Sequence, residues 1–244
     1  MSKSTLNTSS EGMSPKRLST PFVAWLSSDR VEPWRDWAAL LAIVHALLLT
    51  AAVGQLSWPW LLALAVPLGL VLATATLTVL HDAGHRRFSR REWPNVVAVQ
   101  TAIPAGLWVA HWTLKHRVHH RDTQLYPTDE ATRSSGLIRL HPSAARRPVH
   151  RFQHYYAWLL YGIAWMGEIR SQLTYLCTGE IAGTKTPSGL KRTQSFVTEK
   201  ALCLLVLLPY AVMLGIGPLA LLLIAALTVA SVAAAVVLVV GHIN

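Results

Sequence analysis

The chain has 244 residues, of which 52% are hydrophobic and only 14% charged, and its mean hydropathy is positive. That balance excludes an ordinary soluble domain and suits a membrane protein. The net charge of +10 would also suit nucleic acid, but all 22 basic residues lie in 1–37 or 81–200; such segregation is the positive-inside pattern, and no basic stripe with interleaved aromatics argues for nucleic acid.

Residues 1–20 are polar and Ser/Thr-rich, with no apolar core of a signal peptide, and read as a disordered cytosolic tail. Residues 21–244 read as one membrane domain. Its first apolar run, 38–56, is broken only by His45 and Gln55 and is long enough to span a bilayer. Trp34, Trp37, Trp58 and Trp60 flank it like an interfacial belt. His45 has no second histidine near it in sequence and reads as a packed or hydrogen-bonded side chain. The second run, 61–80, measures about 30 Å as a helix, one hydrocarbon thickness. Pro67 inside it is tolerable in a membrane helix. The short uncharged link Ser57-Trp58-Pro59-Trp60 makes the two runs a hairpin that turns on the outer face.

The region 81–197 is long and basic and is placed in the cytosol. Within it, 95–110 and 155–176 are apolar but short or charge-bearing, and read as interfacial or re-entrant helices. The stretch 178–195 is rich in Gly, Thr, Lys and Ser and reads as a loop. Residues 201–240 carry no charge and are twice too long for one span. Gly215-Ile216-Gly217-Pro218 breaks them into spans at 198–215 and 218–240. The expected fold is therefore all-α and membrane-embedded. Four transmembrane helices form two hairpins, and the termini and a histidine-bearing cap face the cytosol. Cys177 and Cys203 read as isolated thiols.

The 11 histidines are not scattered. His81 and His85, in HDAGH, begin where the second span leaves the bilayer, and an i, i+4 pair shares one helix face. His116, His119 and His120, in KHRVHH, form a second group, and His242 comes where the fourth span returns to the same side. Neutral imidazole binds Fe, Zn, Cu and Ni. The carboxylate-rich dinuclear scheme of Glu plus Glu-x-x-His is absent, so a dinuclear site here must be rich in histidine. Asp82 and Asp122 are candidates to accept a ligand's second N–H.

HDAGH at 81–85, KHRVHH at 115–120 and the segment His150–Gly162 resemble the integral-membrane fatty acid desaturase family, over roughly residues 30–244. The resemblance implies a centre of two iron ions held almost entirely by histidines. That centre would use O2 to remove hydrogen from an unactivated acyl C–H. By position it implies His81, His85, His116, His119, His120 and His242 as ligands, and no catalytic residue beyond them. His111 is a candidate to support a ligand. The implied partners are the bilayer, a fatty acyl substrate on CoA, acyl carrier protein or lipid, and a separate electron donor of ferredoxin or cytochrome b5 type. No flavin or dinucleotide motif is present to supply electrons.

His141, His150 and His154, with Arg139, Arg146, Arg147 and Arg151, read as a basic surface for lipid headgroups. The family's third histidine box, HxxHH or QxxHH after the fourth span, has no counterpart among these residues. The expectation is a partial desaturase sequence that alone binds iron weakly and does not turn over. Two further readings stay open: a di-iron hydroxylase or ketolase of an alkane, sterol or carotenoid, and an inactive or merely metal-binding membrane protein.

Overall fold

The structure is a computed structural model that describes residues 33–129, 136–186 and 189–242, with side chains except at 33–34 and 239–242. The expected tail at 1–20 lies outside the described residues.

Helix α1 (Pro33–Gly54) turns at Gln55, whose φ is +45°, into α2 (Trp58–Ala75). Pro59 stands in the first turn of α2, where a missing N–H costs nothing. The helix then widens into a π-turn, Thr76–Leu80, and ends in the single turn α3 (His81–Gly84). The cap follows: α4 (Glu92–Gln100), a 3-10 turn at Ile103–Ala105, α5 (Val109–Arg121), a second 3-10 turn at Pro148–Phe152, α6 (Gln153–Gly162) and α7 (Ala164–Thr178). A minimal hairpin, β1 (Glu180–Ile181) with β2 (Thr184–Lys185), is the only sheet among the described residues. Helices α8 (Gly189–Leu214) and α9 (Ile216–His242) complete the chain, separated by Gly215 at φ +91°, a conformation that side chains other than glycine's resist.

Four helices are long and apolar enough to cross a membrane: Arg35–Gly54, Trp58–Gly84, Gly189–Leu214 and Ile216–Leu238. The protein is an all-α integral membrane protein. The stretch 178–195 is only partly the loop that its composition suggests, because α8 starts at Gly189 and carries Lys191, Arg192 and Lys200 down its first turns. Polar side chains there find partners in the cap, so the helix extends well beyond its apolar run.

The two hairpin turns meet, since Gln55 Nε2 donates to the Met213 carbonyl. Helices α2 and α9 therefore start at one end and run parallel. They pack through Leu61, Ala65, Leu68, Leu219, Leu222 and Ala226. Gly69 allows the closest approach: a Cβ there would lie 2.5 Å from the Ala226 carbonyl oxygen and 2.6 Å from Val229 Cβ. Small residues permit such contact between membrane helices, where packing replaces the hydrophobic effect. Depth follows from this register. Sixteen residues beyond Gly69 is His85, and sixteen beyond Ala226 is His242, so the ends of the two helices come level.

Helices α6 and α7 lie against α9, with Gly162 facing Thr228 and Val232. They also expose Tyr155, Leu159, Ile163, Met166 and Leu173, large apolar side chains of the kind that helices set into a bilayer surface present. The basic-surface reading of His150 is overturned. Its ring is buried, accepts from the Arg147 amide at Nδ1 (3.0 Å) and donates from Nε2 to the Gly136 carbonyl (3.1 Å). His141 is stacked on Tyr126, with ring centres 5.3 Å apart.

Candidate metal centre

The π-turn puts an extra residue into the helix just before HDAGH. Such bulges re-aim the side chains that follow. His81 and His85 consequently face α5, their ring centres 4.6 Å apart. From α5, His116 and His120 stand one turn apart and face back, with ring centres 4.5 Å apart. One ligand nitrogen from each of these four rings lies within 4.8 Å of all the others. His85 Nε2 is 3.0 Å from His116 Nε2 and also 3.0 Å from His120 Nε2.

Burial and the neighbouring rings favour the neutral form of His85, His116 and His120. Burial, and then the neighbouring His120, His81 and His85, push His116 down to about 3. Burial and the adjacent histidines lower His85 and His120 as well. Neutral imidazole is the form that gives a lone pair to a metal. Metal–imidazole bonds of about 2.1 Å put neighbouring ligand nitrogens roughly 3 to 4 Å apart, so small side-chain rotations would close this group on one ion. The donor set fits a first-row transition metal.

Residues 56–244 match the fatty acid desaturase family. The chain belongs to that family. It is 27% identical over 154 residues to an sn-1 linoleoyl-lipid 6-desaturase of Arthrospira platensis, covering 60% of this chain and 42% of that relative. It is 33% identical over 106 residues to an sn-1 oleoyl-lipid 12-desaturase of a Picosynechococcus species, covering 41% of this chain and 29% of the relative. An sn-1 linoleoyl-lipid 6-desaturase of a Synechocystis species is 32% identical over 95 residues, 38% of this chain and 26% of its own length. The matched segments thus span less than half of each of these relatives. No solved structure matches.

In this desaturase-family chain, Trp112 closes one side of the imidazole group by stacking on His116, with ring centres 4.6 Å apart and planes 13° from parallel. It can lie there because residue 84 has no side chain: a Cβ on Gly84 would come 2.8 Å from Trp112 Cη2. The glycine of HDAGH is thus a packing requirement of the site. Replacing Gly84 with alanine should push Trp112 off His116 and weaken Co²⁺ binding about 10-fold. Unchanged affinity in a Co²⁺ titration would show that the wedge does not matter.

The other residues singled out in the sequence go to different places. Asp82 reaches His81 Nδ1 at 3.4 Å from a solvent-exposed position. Asp122 is bonded instead to its neighbour Arg121, through Nε at 3.0 Å and an Nη at 2.7 Å. His119 stands beside the four-ring group, 5.4 Å from His120 between ring centres, with its Nδ1 against the buried Asp129. His242 has its backbone at the end of α9, and its side chain lies outside the described residues.

His111 is fully buried on another face of α5. Its Nε2 is 3.0 Å from Ser171 Oγ, and its Nδ1 is 3.1 Å from Glu168 Oε1, outside hydrogen-bond alignment. Lys115 Nζ donates to Glu168 Oε2 at 2.7 Å. Burial pushes the Glu168 carboxyl up, but contact with His111 and the charge of Lys115 outweigh it and hold the group down to about 2. From α8, Glu199 Oε2 accepts the Val109 amide at 2.6 Å, placing a carboxylate on the unpaired N–H groups and positive dipole end of α5. Trp108 Nε1 donates to Ser195 Oγ at 3.0 Å. The helix that carries HxxHH is therefore held at its start by a membrane helix and along its back by α7.

Sequence reasoning did not find Trp112, Asp129, Glu168 or Glu199. Glu168 and Glu199 act on partners distant in sequence, and Asp129 reaches His119 only through the fold of its loop; Trp112, one turn before His116, is the one that local helix spacing could have found. Glu168 gives a pH test. Its pKa falls on folding, so its contribution is complete above about 4.5 and is lost as pH drops toward 2. The melting temperature of the detergent-solubilised protein should fall over that range, and Glu168→Gln should flatten the dependence.

Proposed function

We propose that the protein containing this chain is an O2-dependent fatty acyl desaturase that introduces a double bond into an acyl chain at a two-iron centre. The observation that carries the reading is the convergence of His81, His85, His116 and His120 from two helices on one point, in a chain of the desaturase family. These four would hold iron, with His119 and His242 as the remaining histidine ligands among these residues. Iron, when bound, supplies activation of O2 and removal of hydrogen from carbon.

The chain's own residues prepare the site for that chemistry. The lowered proton affinity of His85, His116 and His120 keeps their lone pairs available at neutral pH. Trp112 shields His116 from water. Glu199, Lys115 and Glu168 hold α5 so that its two inward imidazoles keep their spacing. An apolar groove of about 390 Å³ between α2 and α9, lined by Leu70, Thr228, Val229, Val232 and Ala233, suits a hydrocarbon chain in the bilayer. The basic region 81–200 supports a cytosolic position for the imidazoles, within reach of a ferredoxin or cytochrome b5-type donor. The relatives named above are lipid-linked acyl desaturases, which favours a lipid-linked acyl chain as the substrate.

The test is expression of the complete reading frame that encodes these residues in a bacterium with a ferredoxin system, followed by mass spectrometry of membrane acyl chains. A new double bond is expected, and it should vanish in His85→Ala and His116→Ala. A new hydroxyl or keto group without desaturation would replace the reading with hydroxylation or ketolation. Unaltered lipids from an iron-loaded protein would overturn it.

A further inference from the structure

Asp129 is a fully buried carboxylate in the short loop that folds back under the end of α5. The location is doubly costly. Burial strips the carboxylate of water, and the C-terminal end of a helix carries partial negative charge that repels it. Its two oxygens lie 2.9 and 3.0 Å from His119 Nδ1, and one of them also accepts the Gln124 amide at 2.9 Å. The loop bends sharply to bring it there, with Gln124 at φ +60° and the Leu125 amide bonded to the Asp122 carbonyl at 2.8 Å. The approach of both oxygens to one ring nitrogen is directed at His119.

We propose that Asp129 is a positioning residue for metal binding, which fixes the proton of His119 on Nδ1 and so presents Nε2 as the ligand atom. The inference rests on the metal-binding reading of the site given above. A carboxylate bonded to the second nitrogen of a ligand imidazole sets its tautomer, its orientation and its basicity. His119 stands just outside the group formed by His81, His85, His116 and His120. Its Nδ1 is held by a buried anion. In this arrangement Asp129 prepares a fifth ligand at the flank of the first four.

Two measurements test this in detergent on the protein expressed from the complete reading frame that encodes these residues. The first needs no metal: ¹⁵N NMR of the histidine rings reads the tautomer of His119, assigned by its loss in His119→Ala. The Nδ1–H form is expected, and Asp129→Asn should convert the ring to an Nε2–H or mixed form. An Nε2–H ring in the unsubstituted protein overturns the proposal, whatever the site binds. The second is a Co²⁺ titration of the unsubstituted protein, Asp129→Asn, His119→Ala and the double variant. Asp129→Asn should weaken binding about 10- to 100-fold and alter the Co²⁺ visible spectrum, and should add nothing once His119 is alanine. Equal weakening in both backgrounds would make Asp129 a loop residue only and overturn the inference. Absence of Co²⁺ binding by the unsubstituted protein would overturn the metal-centre reading, and with it the role of Asp129 toward a metal.

Discussion

His116→Ala should lower the metal affinity of the site by more than about 100-fold, beyond what loss of a supporting residue costs. His116 lies between the two halves of the group. Its Nε2 is 3.0 Å from His85 Nε2, and its ring is 4.5 Å from His120 and 5.1 Å from His81. Removing it takes away a ligand, and it also takes away the surface on which Trp112 stacks. The check is metal content per chain after equilibration with Fe²⁺ or Co²⁺ and desalting. His154→Ala is the control, since that ring rests on Tyr155, 3.9 Å away between centres, and should retain full loading. Equal loss in both variants would mean that the histidines bind metal only as a loose surface set.

Gly69→Leu should cause a large loss of stability. Even a methyl group at this position would sit 2.5 Å from a backbone carbonyl of α9, and backbone has no rotamer by which to yield. Overpacking costs about 1 to 3 kcal/mol in well-packed interiors, and here the whole α2–α9 seam must open to admit the side chain. Gly217→Ala is the matched control, because nothing lies within 4 Å of a Cβ there. Thermal unfolding in detergent should show a large decrease for Gly69→Leu and little change for Gly217→Ala. Because α2 runs on through the π-turn and α3 to His81 and His85, the Gly69 variant should also lose metal, although no ligand has been touched. Normal stability with normal metal content would show that the close approach of the helices does not matter.

The hairpin architecture was legible because it depends on quantities local to the sequence. The length of an uncharged run against bilayer thickness sets the number of spans, and Gly215 marks the break between α8 and α9 as surely in sequence as in structure. The i, i+4 spacing within HDAGH and HxxHH likewise puts His81 beside His85 and His116 beside His120 through helix geometry alone. The π-turn at 76–80 was not legible, and neither was the start of α8 at Gly189. Both depend on polar and packing contacts with the cap that outweigh local composition.

By itself, then, the sequence determined a four-span membrane protein and two rigid histidine pairs at helix ends, because helical periodicity and hydrophobic length act over a few residues. Only the tertiary structure decided what those pairs do. It turned HDAGH onto HxxHH to bring four imidazoles together and sent His119 to Asp129. It placed His111 between Glu168 and Ser171, and left Asp122 with Arg121. These residues sit at similar spacings on the same short helices. Which face meets metal, carboxylate or solvent is set by the partner helix packed against it, which is information that no single stretch of chain contains.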